Sequence, residues 1–219
     1  MQFKYSIEPE NRGQHTEQYD RFYTRFAPLY DWLVKSLPIW RNWIGAAIPR
    51  IQGKRVLEVS FGTGYLLTQY ADRFETYGID LNQHLAQIAR GNLQKHDLTA
   101  CLQIARVEAL PYPSEAFDTV INTMAFTAYP DGLNAFAEIT RVLRPGGQIV
   151  MVDISYPSDG NKIGTLLTNA WITGGDIIRD MPKLFDSFDF EYTDQEVGGF
   201  GSVHLYVATK PELEGGVRK

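Results

Sequence analysis

The chain has 219 residues, of which 44% are hydrophobic, and its 21 basic and 26 acidic residues leave a formal net charge of −5. This length allows one domain with elaborations, whereas two full domains are not expected. An acidic balance without a basic run excludes the electrostatic pattern of a protein that binds nucleic acid or an anionic membrane surface. Small molecules are therefore the expected partners.

Cysteine usage and hydropathy further limit the kinds of site and the cellular location that the chain can have. Cys101 is the only cysteine, so neither an internal disulfide nor a multi-cysteine zinc site can form, and no metal site is predicted. No apolar run approaches the ~20 residues that span a bilayer, and the first residues lack the layout of a signal peptide. These features predict a cytoplasmic protein without stable membrane insertion.

The first 50 residues have the pattern of an irregular helical segment. Aromatic residues are frequent in this part of the chain, and Pro28 and Pro38 should break or kink any helix there. An aromatic face at helical spacing is either ordinary core or a surface for a substrate. The residues of this face are Tyr19, Tyr23, Phe26 and Tyr30.

From Arg55 onwards, short apolar runs alternate with helical patterns. We predict strands at RVLEVS, TYGID, ACLQIA, FDTVINT and GQIVMVD, and helices at 64–73, 82–96 and 131–143. Such alternation is typical of parallel βαβ units, whose right-handed crossovers cover both faces of a sheet. Two later runs, FDFEYTDQEV and SVHLYVAT, flank the glycine-rich GGFG, which predicts a hairpin. The pattern indicates a doubly wound α/β fold.

The first predicted strand leads into a loop that carries two glycines. In an open α/β sheet, ligands bind beyond the carboxyl ends of the strands, where glycine lets the backbone approach the ligand. Gly62 and Gly64 meet this need, but a dinucleotide fingerprint requires a third small residue where Leu67 stands. This difference argues against NAD. Asp80 ends the second strand, where it would either take both ribose hydroxyls of a nucleotide or cap the following helix.

Four stretches together carry a family resemblance: VLEVSFGTG, YGID, EALPYPSEAFDTVI and LRPGGQIVMVD. In their order and spacing, over residues 55–210, the chain resembles the class I S-adenosylmethionine (SAM)-dependent methyltransferases, and in particular the type 11 and ubiquinone–menaquinone methyltransferases. The resemblance implies a Rossmann-like seven-stranded sheet with the last strand antiparallel, SAM as cofactor, and methyl transfer to a nucleophile. SAM has a ribose diol but no phosphate, so the third glycine is not required.

The resemblance also implies a domain organisation. Residues 1–50 would form an N-terminal helical lid, and residues 51–210 would form the SAM-binding methyltransferase domain. Within that domain, residues 156–187 would be an insertion at the acceptor site. Residues 211–219 are expected to be a flexible tail.

Site residues follow from the same resemblance. Glu58 would orient the methionine amino group of the cofactor, and Gly62 and Gly64 would let the backbone pass beneath it. Asp80 would hold the ribose diol, and Leu81 would pack on the adenine. The complete expected cofactor set is Tyr30, Glu58, Ser60, Gly62, Gly64, Asp80, Leu81, Val107, Glu108, Asn122 and Thr123.

Three positions depart from the family pattern. Ser60 stands where the first loop glycine is usual, and Phe61 follows it where a small residue is usual. Arg106 occupies the place of the acid that accepts from the adenine amine, and an arginine side chain cannot accept a hydrogen bond. Another group must therefore meet the adenine amine.

The candidate catalytic residues are Tyr30, Asp153 and His204. Tyr30 precedes an acid, as in the lid motif of the family. Asp153 ends the fifth strand, where it would accept a proton, attract a cationic substrate or cap the next segment. In an antiparallel last strand, His204 would share one face with Ser202 and Tyr206 at the reactive edge, as a general base or as a structural histidine.

The sequence says less about the methyl acceptor than about the cofactor. After the fourth strand the chain reads INTMAF, without the Asn/Asp-Pro-Pro-aromatic motif of enzymes that methylate nucleobases or glutamine. The expected reaction is in-line methyl transfer to a small-molecule O, N, S or C nucleophile. Two alternatives stay open: a non-catalytic SAM- or nucleotide-binding interaction module, and an NAD-linked oxidoreductase.

Overall fold

A computed structural model describes residues 5–6, 8–21, 24–25 and 37–212 of the chain. Within the N-terminal part, residues 12–21 and 24–25 are helical. Tyr23, Phe26 and Tyr30 lie outside the described residues, as does most of the predicted tail.

Seven strands form a single sheet in the order β3-β2-β1-β4-β5-β7-β6. Neighbouring strands from β3 to β5 are parallel, whereas β7 runs antiparallel to both β5 and β6. This topology confirms the predicted doubly wound, Rossmann-like sheet with an antiparallel last strand. The strands are β1 (Arg55–Val59), β2 (Glu75–Asp80), β3 (Cys101–Ile104), β4 (Phe117–Thr123), β5 (Leu143–Ile154), β6 (Glu191–Gly198) and β7 (Val203–Thr209).

Helices cover the two faces of the sheet. They are α1 (Pro38–Gly45), α2 (Gln83–Lys95), α3 (Gly132–Val142), α4 (Lys162–Gly174) and α5 (Met181–Asp186). The helices α2 to α5 begin at a side chain that accepts a hydrogen bond from a backbone N–H of the first turn, as strong N-cap residues do. These caps are Asn82, Asp131, Asn161 and Asp180.

The strands separate two apolar clusters because successive side chains point to opposite faces. Leu57 of β1 is buried in the cluster that contains Phe136 of α3, and Val56 is buried in the cluster that contains Ala89 of α2. Both faces of the sheet are therefore covered by apolar side chains. In the described part of the chain, no helix has the length and apolarity needed to cross a membrane.

The predicted helix at 64–73 is wrong. Only one 3₁₀ turn, Leu67–Gln69, forms in this stretch. The Thr68 hydroxyl donates to the Tyr65 carbonyl at 2.7 Å, a local bond that competes with helical geometry. Tyr70 then leaves the helical region at φ −143°, and its buried hydroxyl donates to Glu58 Oε2 at 2.8 Å. Burial of Tyr70 thus overrides the helical pattern.

Candidate functional site

Three parallel strands end side by side at one edge of the sheet. Val59 of β1 pairs with Ile79 of β2 on one side and with Asn122 of β4 on the other. The carboxyl ends of such strands are where open α/β sheets bind ligands. This register brings Glu58, Asp80 and Asn122 to the same edge.

A cleft opens at this edge, with about 880 Å³ of empty space when the part open to solvent is included. The expected cofactor residues that line it are Ser60, Gly62, Asp80, Leu81, Val107, Glu108 and Thr123. Further polar and aromatic residues of its lining are Thr16, Tyr19, Asp20, Asn82, Arg106 and Tyr129.

A smaller cavity adjoins the cleft, and Glu58, Trp40 and Tyr65 belong to its lining. The residues common to both linings are Ser60, Gly62, Thr123 and Met124. These four residues mark the junction of the two spaces, and below they are called the junction.

Asp80 is held by backbone donors on both of its oxygens. Gly62 N donates to Oδ2 at 2.8 Å, and Asn82 N donates to Oδ1 at 2.8 Å. Burial raises the pKa of Asp80 to about 6, although these donors oppose the shift. The cap of α2 is the Asn82 side chain, which accepts from Leu85 N at 2.9 Å. The capping interpretation of Asp80 is therefore wrong.

Glu58 is an acid enclosed at the end of β1, with 2% of its surface exposed. The Tyr70 hydroxyl bond favours its ionised form, but burial dominates and raises the pKa of Glu58 to about 8. A cation placed beside this carboxyl would favour its ionised form. The smaller cavity therefore suits a positively charged group.

Ser60 takes part in a short polar chain beneath the junction. Its Oγ lies 2.7 Å from the Tyr129 hydroxyl, which also accepts from Asn122 Nδ2 at 2.9 Å. Phe61 lines the smaller cavity and lies against Gly78, where an added Cβ would come within 2.7 Å of the Phe61 ring. Ser60 and Phe61, two of the three departures from the family pattern, thus each contact defined residues.

The two loop glycines have different surroundings. Gly62 has φ 56° and lines both spaces, so a backbone here can pass close to a ligand. Gly64 has φ 73°, and an added Cβ would lie 2.8 Å from the Ala89 Cβ. Gly64 lines neither space; it lets the loop pack on α2.

The third strand is followed by the turn that carries Arg106. Its Nε lies 3.5 Å from Glu108 Oε2, and the Glu108 side chain is 13% exposed against 46% for Arg106. Glu108 is thus a carboxylate at the cleft, two residues after the position where the family pattern has its acid. Its oxygens can accept hydrogen bonds, whereas the guanidinium of Arg106 can only donate them.

The N-terminal helical segment reaches the cleft. Thr16, Tyr19 and Asp20 belong to its lining. Asn82 Nδ2 donates to Asp20 Oδ1 at 2.8 Å and to Thr24 Oγ1 at 2.7 Å. Asp20 was not expected from the sequence, because a lone acid on an irregular helical stretch has no distinguishing pattern.

Asp153 does not line the cleft or the smaller cavity. It is 3% exposed and accepts from Thr127 N at 3.1 Å, Thr127 Oγ1 at 3.0 Å and Ile154 N at 2.7 Å. Burial raises the pKa of Asp153 to about 6. Thr127 Oγ1 also lies 2.8 Å from Asp176 Oδ1, and Tyr19, which lines the cleft, favours the ionised form of Asp176. Asp153 reaches the cleft only through this chain of groups.

His204 does not fit the predicted general base. Its Nδ1 lies 2.6 Å from Asp194 Oδ1, and its Nε2 lies 2.9 Å from the Gly201 carbonyl and 3.1 Å from that of Tyr156. Burial would lower the pKa of His204, but the Asp194 carboxylate opposes it and the net shift is upward. Acceptors at both nitrogens favour the protonated ring and a structural role for His204.

The predicted acceptor-site insertion contains α4 and α5. None of residues 156–187 belongs to the described lining of the cleft. Trp171 of α4 packs 6.2 Å from Trp40, centroid to centroid, and Trp40 lines the smaller cavity. Among the described residues, no group of three or more His, Cys, Asp or Glu side chains is placed to hold a metal ion.

Comparison with known proteins places this geometry in a family. Residues 57–151 match the family model described as a methyltransferase domain. Over these residues the chain is similar to the class I SAM-dependent methyltransferases. The chain is 31% identical over 159 residues to the demethylmenaquinone methyltransferase of Deinococcus radiodurans, covering 69% of this chain and 65% of that protein. It is 33% identical over 138 residues to the phosphatidylethanolamine N-methyltransferase of Cereibacter sphaeroides, covering 61% of this chain and 66% of that protein.

The chain thus spans just under two thirds of the length of these relatives. Solved structures share its fold at low sequence identity. A SAM-dependent methyltransferase from Thermotoga maritima superposes with a TM-score of 0.67 at 17% identity, covering 87% of this chain and 99% of that chain. The [4+2]-cyclase SpnF superposes with a TM-score of 0.72 at 18% identity, covering 94% and 99%. The same fold therefore carries more than one reaction, and the site residues have to decide the function.

Proposed function

We propose that this protein transfers the methyl group of SAM, the cofactor of its family, to an O, N, S or C nucleophile of a small molecule. The observation that carries the proposal is the placement of two buried acids at the ends of adjacent strands. Asp80 lines the cleft, and Glu58 lines the smaller cavity that adjoins it. The two acids match two polar groups of SAM, the ribose diol and the amino acid.

Asp80 would hold the ribose. Each of its oxygens accepts one backbone N–H, which leaves further lone pairs for two ribose hydroxyls. Leu81 and Val107 line the same cleft and would pack on the adenine. Glu108 supplies a carboxylate that would accept from the adenine amine in place of Arg106.

Glu58 would bind the ammonium of the methionine moiety. Its burial makes an unpaired negative charge costly, and a cation at hydrogen-bonding distance removes that cost. Asn122, at the end of β4, lines neither space, and its buried Oδ1 has no hydrogen-bond partner among the described residues. The acceptor oxygens of Glu58 fit a ligand that brings N–H groups to this end of the site.

The bound cofactor supplies a sulfonium methyl with a good leaving group. The protein then contributes alignment and exclusion of water, and well-oriented reactants gain as much as ~7–11 kcal/mol. We infer that residues 1–50 act as a lid, because Thr16, Tyr19 and Asp20 already border the cleft. Closure over the ligand would remove water from the junction.

Apolar and aromatic residues contribute to the lining of the cleft. They include Tyr19, Ala125, Ala128 and Pro130. Two relatives are named for demethylmenaquinone and phosphatidylethanolamine. We therefore propose a naphthoquinol and an ethanolamine phospholipid as the first acceptors to test.

An NAD-linked oxidoreductase fits less well, because Leu67 is fully buried where a dinucleotide fingerprint needs a small residue. Calorimetry with SAM, S-adenosylhomocysteine (SAH) and NADH tests this choice. We expect saturable binding of SAM and SAH and none of NADH at micromolar concentrations. Competitive NADH binding of similar affinity would overturn the proposal. Radiolabelled methyl transfer to the two acceptors then separates an enzyme from a non-catalytic binding module.

A further inference from the structure

Ser60 has a backbone conformation that normally belongs to glycine. Its φ is 58°, in the left-handed region that side chains rarely adopt. The backbone is held there by the sheet edge, since Ser60 N donates to the Ile79 carbonyl at 2.8 Å. Such strain persists where surrounding contacts require it, and it is concentrated at functional sites. The serine side chain must therefore offer something that glycine does not.

The Ser60 hydroxyl is fixed in direction by its partner. Tyr129 lies 2.7 Å away, is 8% exposed, and is itself held by Asn122 Nδ2. A hydroxyl oxygen has one hydrogen and two lone pairs. Whichever of the two hydroxyls donates, the Ser60 oxygen keeps at least one lone pair for a further contact.

This oxygen belongs to the junction. Ser60 lines both the cleft of Asp80 and the smaller cavity of Glu58. Met124, another residue of the junction, is also in the left-handed region, with φ 53°. Two strained residues that are not glycine thus stand where the two spaces adjoin.

We propose that the Ser60 hydroxyl, held by Tyr129, contacts the charged sulfur centre of SAM and makes the protein prefer SAM to SAH. This inference rests on the proposed function, since a ligand with its ribose at Asp80 and its ammonium at Glu58 has its sulfur between them. A sulfonium is positive and polarises the C–H groups attached to it, so an oxygen lone pair stabilises it. The thioether of SAH is neutral and gains much less. The preference would favour release of the spent cofactor.

Calorimetry of both ligands against the wild-type protein and four variants tests the proposal. Ser60→Ala removes the oxygen, and we expect about 3–10-fold weaker SAM binding with less than about 2-fold change for SAH. Tyr129→Phe removes the partner that fixes the hydroxyl and should shift the ratio in the same direction. Glu58→Gln is the matched control, because SAM and SAH carry the same ammonium and should weaken by the same factor.

Ser60→Gly separates this role from a merely structural one. Glycine accepts the left-handed conformation, so the melting temperature should rise while the preference for SAM is lost. Equal loss of SAM and SAH affinity in Ser60→Ala, or no loss of either, would overturn the assignment of Ser60 alone. A wild-type protein that binds neither ligand would overturn the proposed function together with it.

Discussion

Asn82 connects the N-terminal helical segment to the second strand through Asp20. Its Nδ2 donates to Asp20 Oδ1 at 2.8 Å, and its Oδ1 caps α2 through Leu85 N at 2.9 Å. Its own backbone N–H donates to Asp80 at 2.8 Å. The side chain and the backbone N–H of Asn82 thus connect three parts of the site. These are the N-terminal helical segment, α2 and Asp80, the proposed ribose acceptor.

Replacing Asn82 should therefore release the helical segment. Asn82→Asp keeps a good N-cap but removes the donor and places a carboxylate against Asp20. Hydrogen exchange should show lost protection at 12–21 and retained protection in α2. Asn82→Ser, which also caps without adding charge, is the control and should release the segment less. Unchanged exchange at 12–21 in both variants would show that this contact does not hold the segment.

Asp80→Ala should weaken binding of both SAM and SAH by roughly 1–3 kcal/mol, because the ribose loses a charged acceptor. Calorimetry measures the loss, and circular dichroism checks that the fold is intact. Asp80→Asn keeps an acceptor oxygen and should lose less. Full affinity in a folded Asp80→Ala protein would sink the ribose assignment.

The stability of the protein should decrease as the pH rises towards 8 because of Glu58. Its pKa is raised from 4.5 to about 8 by burial, so the folded state binds a proton that the unfolded state has lost. Between these values the contribution falls by at most about 1.4 kcal/mol per pH unit. Glu58→Gln should flatten this dependence in denaturant unfolding measured from pH 5 to 8. Parallel pH profiles for the two proteins would contradict the shift.

His204→Gln should reduce stability without changing SAH affinity, because the ring bonds to Asp194 and Gly201 rather than to the cleft. The raised pKa gives a stabilisation that is complete below about pH 6.5 and is lost as the pH rises through the folded value. Asp194→Asn should remove the same pH dependence. A large loss of SAH affinity with unchanged stability would contradict the structural role and show that His204 contributes to ligand binding.

Strand positions followed closely from the sequence, because apolar runs in a buried parallel sheet have little alternative. The run FDTVINT is β4, and the hairpin around GGFG joins β6 to β7. The position of Asp80 at the cleft was also predictable, since an acid at the end of a second strand has a fixed place in this topology.

Long-range contacts were not predictable in the same way. The hydrogen bond from Tyr70 to Glu58 accompanies a loop where the local sequence pattern predicted a helix at 64–73. His204 has the face that alternation predicts, but its role depends on Asp194 of the neighbouring strand. Tyr129 and Asp20 enter the site only through tertiary packing, which leaves no periodic signal in the chain.

The Thr127 hydroxyl lies between two carboxyl groups but has a single hydrogen. It is 3.0 Å from Asp153 and 2.8 Å from Asp176, so when both contacts are hydrogen bonds one carboxyl must itself be a donor. Asp153 accepts two backbone N–H groups, and Asp176 has Tyr19 and His15 beside it, so neighbouring groups favour the negative charge of each acid. The two acids therefore titrate as one diprotic unit, and a substitution at either changes the apparent pKa values of both.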